Sequence, residues 1–174
     1  MSATNAIGNS ESNAAHKLHV VTNDRVGLSR NAESNGPLQI LQSALAAMNE
    51  GRFSEVVQRF DDGFSFNDHA LNLEFTNKER LTEFLEKSRE LFPDTTLEVV
   101  SLFETGDHAI AQWRLTATQT EPYGANSYRV PVSVFGVTIV CVENERIVEW
   151  SEYYDENTSR RVGLAALFTE WIDY

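Results

Sequence analysis

The second half of the chain leaves little freedom in fold class. Four long runs dominated by branched and aromatic residues, at 97–103, 108–118, 132–142 and 146–155, follow one another across short links. Such residues fit a pleated, half-buried surface. Glu104-Thr105-Gly106-Asp107 and Glu143-Asn144-Glu145 read as turns, with Gly106 and Asp107 suited to a hairpin. A loop at 121–126 holds Pro122 and Gly124. Consecutive strands with short links pair as an antiparallel meander. Within 108–118, Ala109, Ala111, Trp113, Leu115 and Ala117 share one face.

The first half is mostly helical. Leu38, Leu41, Leu45 and Met48 recur at helical spacing, after Gly36-Pro37 and before Gly51. Phe53, Val56, Val57 and Phe60 predict a second, shorter helix. Asp61-Asp62-Gly63 predicts a turn, and Phe64-Ser65-Phe66-Asn67 a short strand. Thr76-Asn77-Lys78-Glu79 is a capping box for a helix carrying Leu81, Phe84, Leu85 and Leu91, which Phe92-Pro93-Asp94 ends. Val162, Leu164, Ala165, Leu167, Phe168 and Trp171 predict a last helix beyond the strands. The expected organisation is an N-terminal extension at 1–35, one α+β domain at 36–156, and a helical extension at 157–174. A length of 174 residues at 41% hydrophobic content is enough for one such core.

Charge narrows the partners. A formal net charge of −12 repels phosphate backbones and anionic membrane surfaces, so neither nucleic acid nor membrane is expected. Residues 1–35, rich in Ser, Asn and Ala, lack the pattern of a secretory signal, which places the expectation in the cytoplasm. Cys141 is the single cysteine, read as a small core or interface residue. His16 and His19 have no third ligand nearby. No metal and no cofactor are expected.

The stretch 146–155 is where chemistry is expected. It ends on Asp155 after Trp150, Tyr153 and Tyr154, and a carboxyl beside aromatic rings gains the raised pKa that proton transfer near neutrality needs. Capping the strand end is the alternative role for Asp155. By alternation Ile147, Glu149, Ser151, Tyr153 and Asp155 share one face, and Val148, Trp150, Glu152 and Tyr154 the other. Either face can line a pocket, and a bulge would reverse the parity. Asp68 and His69 follow the short strand and reach either a pocket mouth or a polar turn. Trp113 reads as core or as ligand contact; Tyr123, Tyr128 and Arg129 rim either a pocket or a dimer contact; His108 reads as exposed.

Several segments, in order, resemble one family: 46–53 (AAMNEGRF), 64–69 (FSFNDH), 91–94 (LFPD), 111–118 (AQWRLTAT), 135–137 (FGV) and 146–155 (RIVEWSEYYD). The chain resembles the SnoaL-like polyketide cyclase group of the nuclear transport factor 2-like (NTF2-like) fold over about residues 37–156. The resemblance implies a curved antiparallel sheet wrapped around the N-terminal helices, a conical pocket, and often a homodimer through the other face of the sheet. It implies a small hydrophobic, oxygenated ligand such as a polyketide, steroid or terpenoid. It also implies, if the protein is an enzyme, metal-free acid–base cyclisation, isomerisation or dehydration. Asp155 would then be the acid/base and His69 a second proton donor, with Trp113, Trp150, Tyr153, Asp68, Tyr123 and Arg129 around the ligand. The chain departs from the fold's known enzymes: the first helix lacks the tyrosine of ketosteroid isomerase, Arg114-Leu115-Thr116 lacks the second acid of the epoxide hydrolases, and His69 and His108 do not sit in the settings of scytalone dehydratase. A non-catalytic dimeric binding or accessory module is therefore the rival expectation.

Overall fold

Pro37 sits in the first turn of a helix, where its missing amide costs nothing. Helix α1 runs Pro37–Asn49 and buries Leu38, Ile40, Leu41, Ala44, Leu45 and Ala47. It stops because Gly51 turns into the left-handed region at φ 73°, which lets Gly51 and Arg52 donate their amides to Met48 and Ala47. Helix α2, Phe53–Val57, follows at once.

The computed structural model describes residues 35–119 and 130–155. The N-terminal extension with His16 and His19, the C-terminal helix, Tyr123, Tyr128 and Arg129 lie outside the described residues.

Strand β1 runs Phe60–Asp68, longer than the alternation at 64–67 suggested. Phe60 thus opens a strand rather than closing a helix, and Asp61-Asp62-Gly63 is strand rather than turn. The reason is tertiary: Phe60 is buried against Phe64 and Trp150, with ring centroids at 4.8 and 5.8 Å. A short edge strand, β2 at Leu73–Phe75, pairs antiparallel with β1. Helix α3, Lys78–Leu91, starts one residue later than the capping box implied. Asn77 is its cap, and its side chain accepts from the Arg80 amide at 3.0 Å. Replacing Asn77 by Ala should cost about 1 kcal/mol of stability in denaturant unfolding, whereas Thr76→Ala should cost little.

The remaining strands are β3 (Thr96–Thr105), β4 (His108–Gln119), β5 (Val130–Glu143) and β6 (Arg146–Tyr154). The six strands form one sheet in the order β2-β1-β6-β5-β4-β3. Strands β3 to β6 make the antiparallel meander expected, but β1 lies parallel to β6. Asn144 and Glu145, at φ 49° and 61°, close the β5–β6 turn. The sheet bends at irregularities: Val100 is an extra residue between Val99 and Ser101, and Val148 between Ile147 and Glu149. Because of the second, Ile147 and Trp150 are both fully buried although alternation put them on opposite faces.

The concave face carries Leu102, Ala109, Ala111, Trp113, Val134, Val140 and Trp150, and α1 packs across β3, β4 and β5. Each fully buried Leu, Phe or Ile here is worth about 1.5–3 kcal/mol of apolar transfer. The convex face exposes Phe103, Phe135 and Tyr153, on the side where the resemblance expects a contact between copies. Among the described residues, no helix is long and apolar enough to cross a membrane.

Candidate functional site

Helix α1 covers only part of the concave face. Between its C-terminal end, α2, α3 and the open end of the sheet lies a cavity of about 180 Å³. Its walls are mainly apolar: Met48, Phe53, Phe66, Leu71, Phe84, Leu85, Phe92, Leu97, Leu115, Val132 and Val134. Arg89 is at the wall but already committed. Its guanidinium donates to the carbonyls of Met48, Asn49 and Thr95, at 2.9, 2.9 and 3.3 Å, and lies over the Phe53 ring. It ties the end of α1 to the start of β3.

The acidic side chains of the cavity wall sit on the inner ends of β1 and β6. Asp68 and Glu152 are register partners across the parallel pair, and both line the cavity. Asp68 is 4% exposed. Its Oδ1 accepts from the Leu71 amide and its Oδ2 from the Tyr154 hydroxyl, both at 2.9 Å. Glu152 accepts from the Trp150 indole at 2.9 Å and also bonds the Thr138 hydroxyl. Thr138, opposite Glu152 on β5 and fully buried, accepts from the Trp113 indole at 2.8 Å. A chain of donors therefore runs from Trp113 through Thr138 to Glu152. The Glu152 residue keeps partial exposure because its side chain borders the cavity, while protein encloses the carboxyl itself.

This setting penalises charge. Burial raises Asp68 above the ordinary carboxylate range, against the pull of the Leu71 amide and the Tyr154 hydroxyl. Burial, then the neighbouring Asp68 charge, pushes Glu152 up to about 8. Burial and the same two carboxyls push Tyr154 well above its usual value, so its hydroxyl stays a donor. Two carboxyls in a dry site do not both ionise readily; the pair holds a proton near neutrality.

The structure redistributes the residues expected from sequence. Asp68 and Trp113 do line the cavity. Trp150 does not; it is fully buried, stacks on Phe66 at 5.9 Å and 13°, and orients Glu152 through its indole. Asp155 lies just past β6, exposed and outside the cavity lining. Tyr153 faces outward at 45% exposure, and its ring stacks on His69 at 4.3 Å and 11°. His69 is exposed and outside the lining too, one residue beyond Asp68 and so on the other side of the strand. The physical reason is parity. The bulky face of β6 turned inward, carrying Glu152 and Tyr154, and the Asp155 face turned out. The sequence reading named neither Glu152 nor Tyr154 as a site residue. Their shared face with Trp150, too large to leave in water, was the available signal.

Residues 41–150 match the family model for a SnoaL-like domain. No curated protein sequence matches the chain. Solved structures give the same fold at low identity. A provisionally assigned SnoaL-like polyketide cyclase from Shewanella putrefaciens is 17% identical at a TM-score of 0.63, over 76% of this chain and 88% of that one. An NTF2-like protein from Burkholderia thailandensis is 14% identical at 0.64, over 75% and 98%. A hypothetical protein from Catenulispora acidiphila with a ketosteroid isomerase-like fold, solved with trimethylamine, is 18% identical at 0.61, over 80% and 100%.

Proposed function

The chain belongs to the SnoaL-like domain family, and from that premise we propose that it binds a small hydrophobic, oxygenated molecule in its cavity and moves protons on it by acid–base chemistry. One observation carries the reading: two register-paired carboxyls and a tyrosine hydroxyl border a mainly apolar cavity. Asp68 takes the Leu71 and Ala70 amides and the Tyr154 hydroxyl, against an indole and a hydroxyl on Glu152, so it is the better place for the negative charge and the pair's proton belongs on Glu152. Glu152 delivers it to, or recovers it from, a ligand oxygen or carbon. Tyr154 donates to Asp68 and holds its charge, and Trp113 gives the ring a wall. Cyclisation, isomerisation and dehydration of a carbonyl compound all need that set.

A naphthol tests the binding half, since it is flat, apolar and carries a phenol oxygen. It should quench tryptophan fluorescence through Trp113, and Glu152→Gln should change its affinity by about tenfold, or 1.4 kcal/mol. Exchange of the α-protons of cyclic ketones into deuterated solvent, followed by NMR, tests the proton-transfer half. Exchange should be present in the wild type and lost in Glu152→Gln while naphthol still binds. Loss in Asp155→Asn but not in Glu152→Gln would overturn the assignment. Binding with no exchange in the wild type would support the non-catalytic module instead.

A further inference from the structure

A second group of reactive side chains lies on the opposite face of the sheet, away from the cavity. Asp107 is the second residue of the β3–β4 turn, His108 opens β4, and Cys141 is the register partner of His108 on β5. The backbone holds the three positions together: the Val142 amide donates to the Asp107 carbonyl at 2.8 Å, and the His108–Cys141 pairing is part of an unbroken ladder. One carboxylate oxygen, one imidazole nitrogen and the sulfur all lie within 4.8 Å of one another. His108 Nδ1 is 2.5 Å from Asp107 Oδ1.

We infer that Asp107, His108 and Cys141 form a surface site for a borderline-soft divalent cation of the zinc and cobalt class, with three protein ligands and an open fourth position. The ligand set decides the class. A thiolate and an imidazole favour zinc-like ions, whereas magnesium and calcium take oxygen alone. A tetrahedral ion with bonds of roughly 2.0–2.3 Å needs its ligands roughly 3.3–3.8 Å apart, so the close Asp107–His108 contact must open and any longer separation must shrink, adjustments that side-chain rotation on half-exposed residues can supply. The local field also draws a cation. Glu143 and Glu149, together with Asp107, act on the Cys141 sulfur, and Glu149 is its register partner on β6. The exposure of Asp107 and His108 leaves the fourth position to water or an incoming ligand.

The single cysteine makes the test specific, because a thiolate-to-cobalt charge-transfer band can arise only at Cys141. Cobalt(II) titrated into the full chain should give that band at one equivalent and protect the thiol from alkylation. Cys141→Ser should abolish the band, and Asp107→Asn and His108→Ala should each weaken the dissociation constant by at least about tenfold. All three positions are at the surface end of a hairpin, and unchanged thermal unfolding of the apo variants would confirm that they fold. Absence of the band, or a band that His108→Ala and Asp107→Asn leave unchanged, would overturn the site and mark any binding as adventitious.

Discussion

Glu152→Gln is expected to flatten a pH dependence of stability that the wild type shows between about 4.5 and about 8. The unfolded chain releases the Glu152 proton near 4.5, while the folded protein holds it up to about 8. Across that window the native state binds the extra proton. Stability is therefore complete below the lower value, falls as pH rises, and reaches its floor above the upper one. The slope approaches about 1.4 kcal/mol per pH unit for one proton. Asp68 is raised as well, so its contribution has the same sign, and the pair releases its two protons in two separate steps. Glutamine keeps the shape and the acceptor for the Trp150 indole but cannot ionise. The variant should lose ground at low pH and gain on the wild type steadily as pH rises. Chemical unfolding at a series of pH values reads the difference directly. Parallel profiles for the two proteins would mean that Glu152 ionises normally in the native state, and the shared-proton reading would fail.

Where the sequence reading succeeded, the signal was local. The meander was legible because four branched runs separated by turn residues have few other solutions, and Gly51, Gly106 and Asn144 mark real chain reversals. Helix α1 was legible from its apolar spacing and its proline. What was not legible depended on distant contacts. Phe60 joins a strand because Trp150 and Phe64 close over it, and β1 lies parallel to β6 across more than half the domain. That parallel pair is what sets Asp68 beside Glu152, so no local pattern could join them. The face of β6 was decided by an extra residue at Val148 and by the burial of Trp150. Once that face turned inward, Asp155 and Tyr153 turned outward with it. Glu152, the carboxyl of β6 that borders the cavity, stands three residues before Asp155, and which of the two faces inward is a question of parity.

The second large effect is expected at a residue with no side chain. Gly136 stands on β5 between Trp113 on β4 and Tyr154 on β6. A β-carbon there would lie 2.2 Å from Cη2 and 2.4 Å from Cζ2 of the Trp113 indole, far inside van der Waals contact. An alanine in a strand normally stabilises relative to glycine, by about 0.5–1 kcal/mol. Here Gly136→Ala should do the reverse. The indole must swing off the strand, and overpacking of this kind costs about 1–3 kcal/mol. The swing also pulls Nε1 from Thr138, and leaving a buried donor unmet costs roughly a further 1–3 kcal/mol. Denaturant unfolding should register the sum, and naphthol binding should weaken because the displaced ring enters the cavity and withdraws support from Glu152 through Thr138. Trp113→Phe, with a smaller ring, should relieve part of the clash, so the double variant should be less destabilised than the two single losses added together, by about 0.5–3 kcal/mol. Strict additivity, or a neutral Gly136→Ala, would show that the indole does not lie across this glycine in solution. The wall of the cavity, and the donor chain to Glu152 with it, would then have to be redrawn.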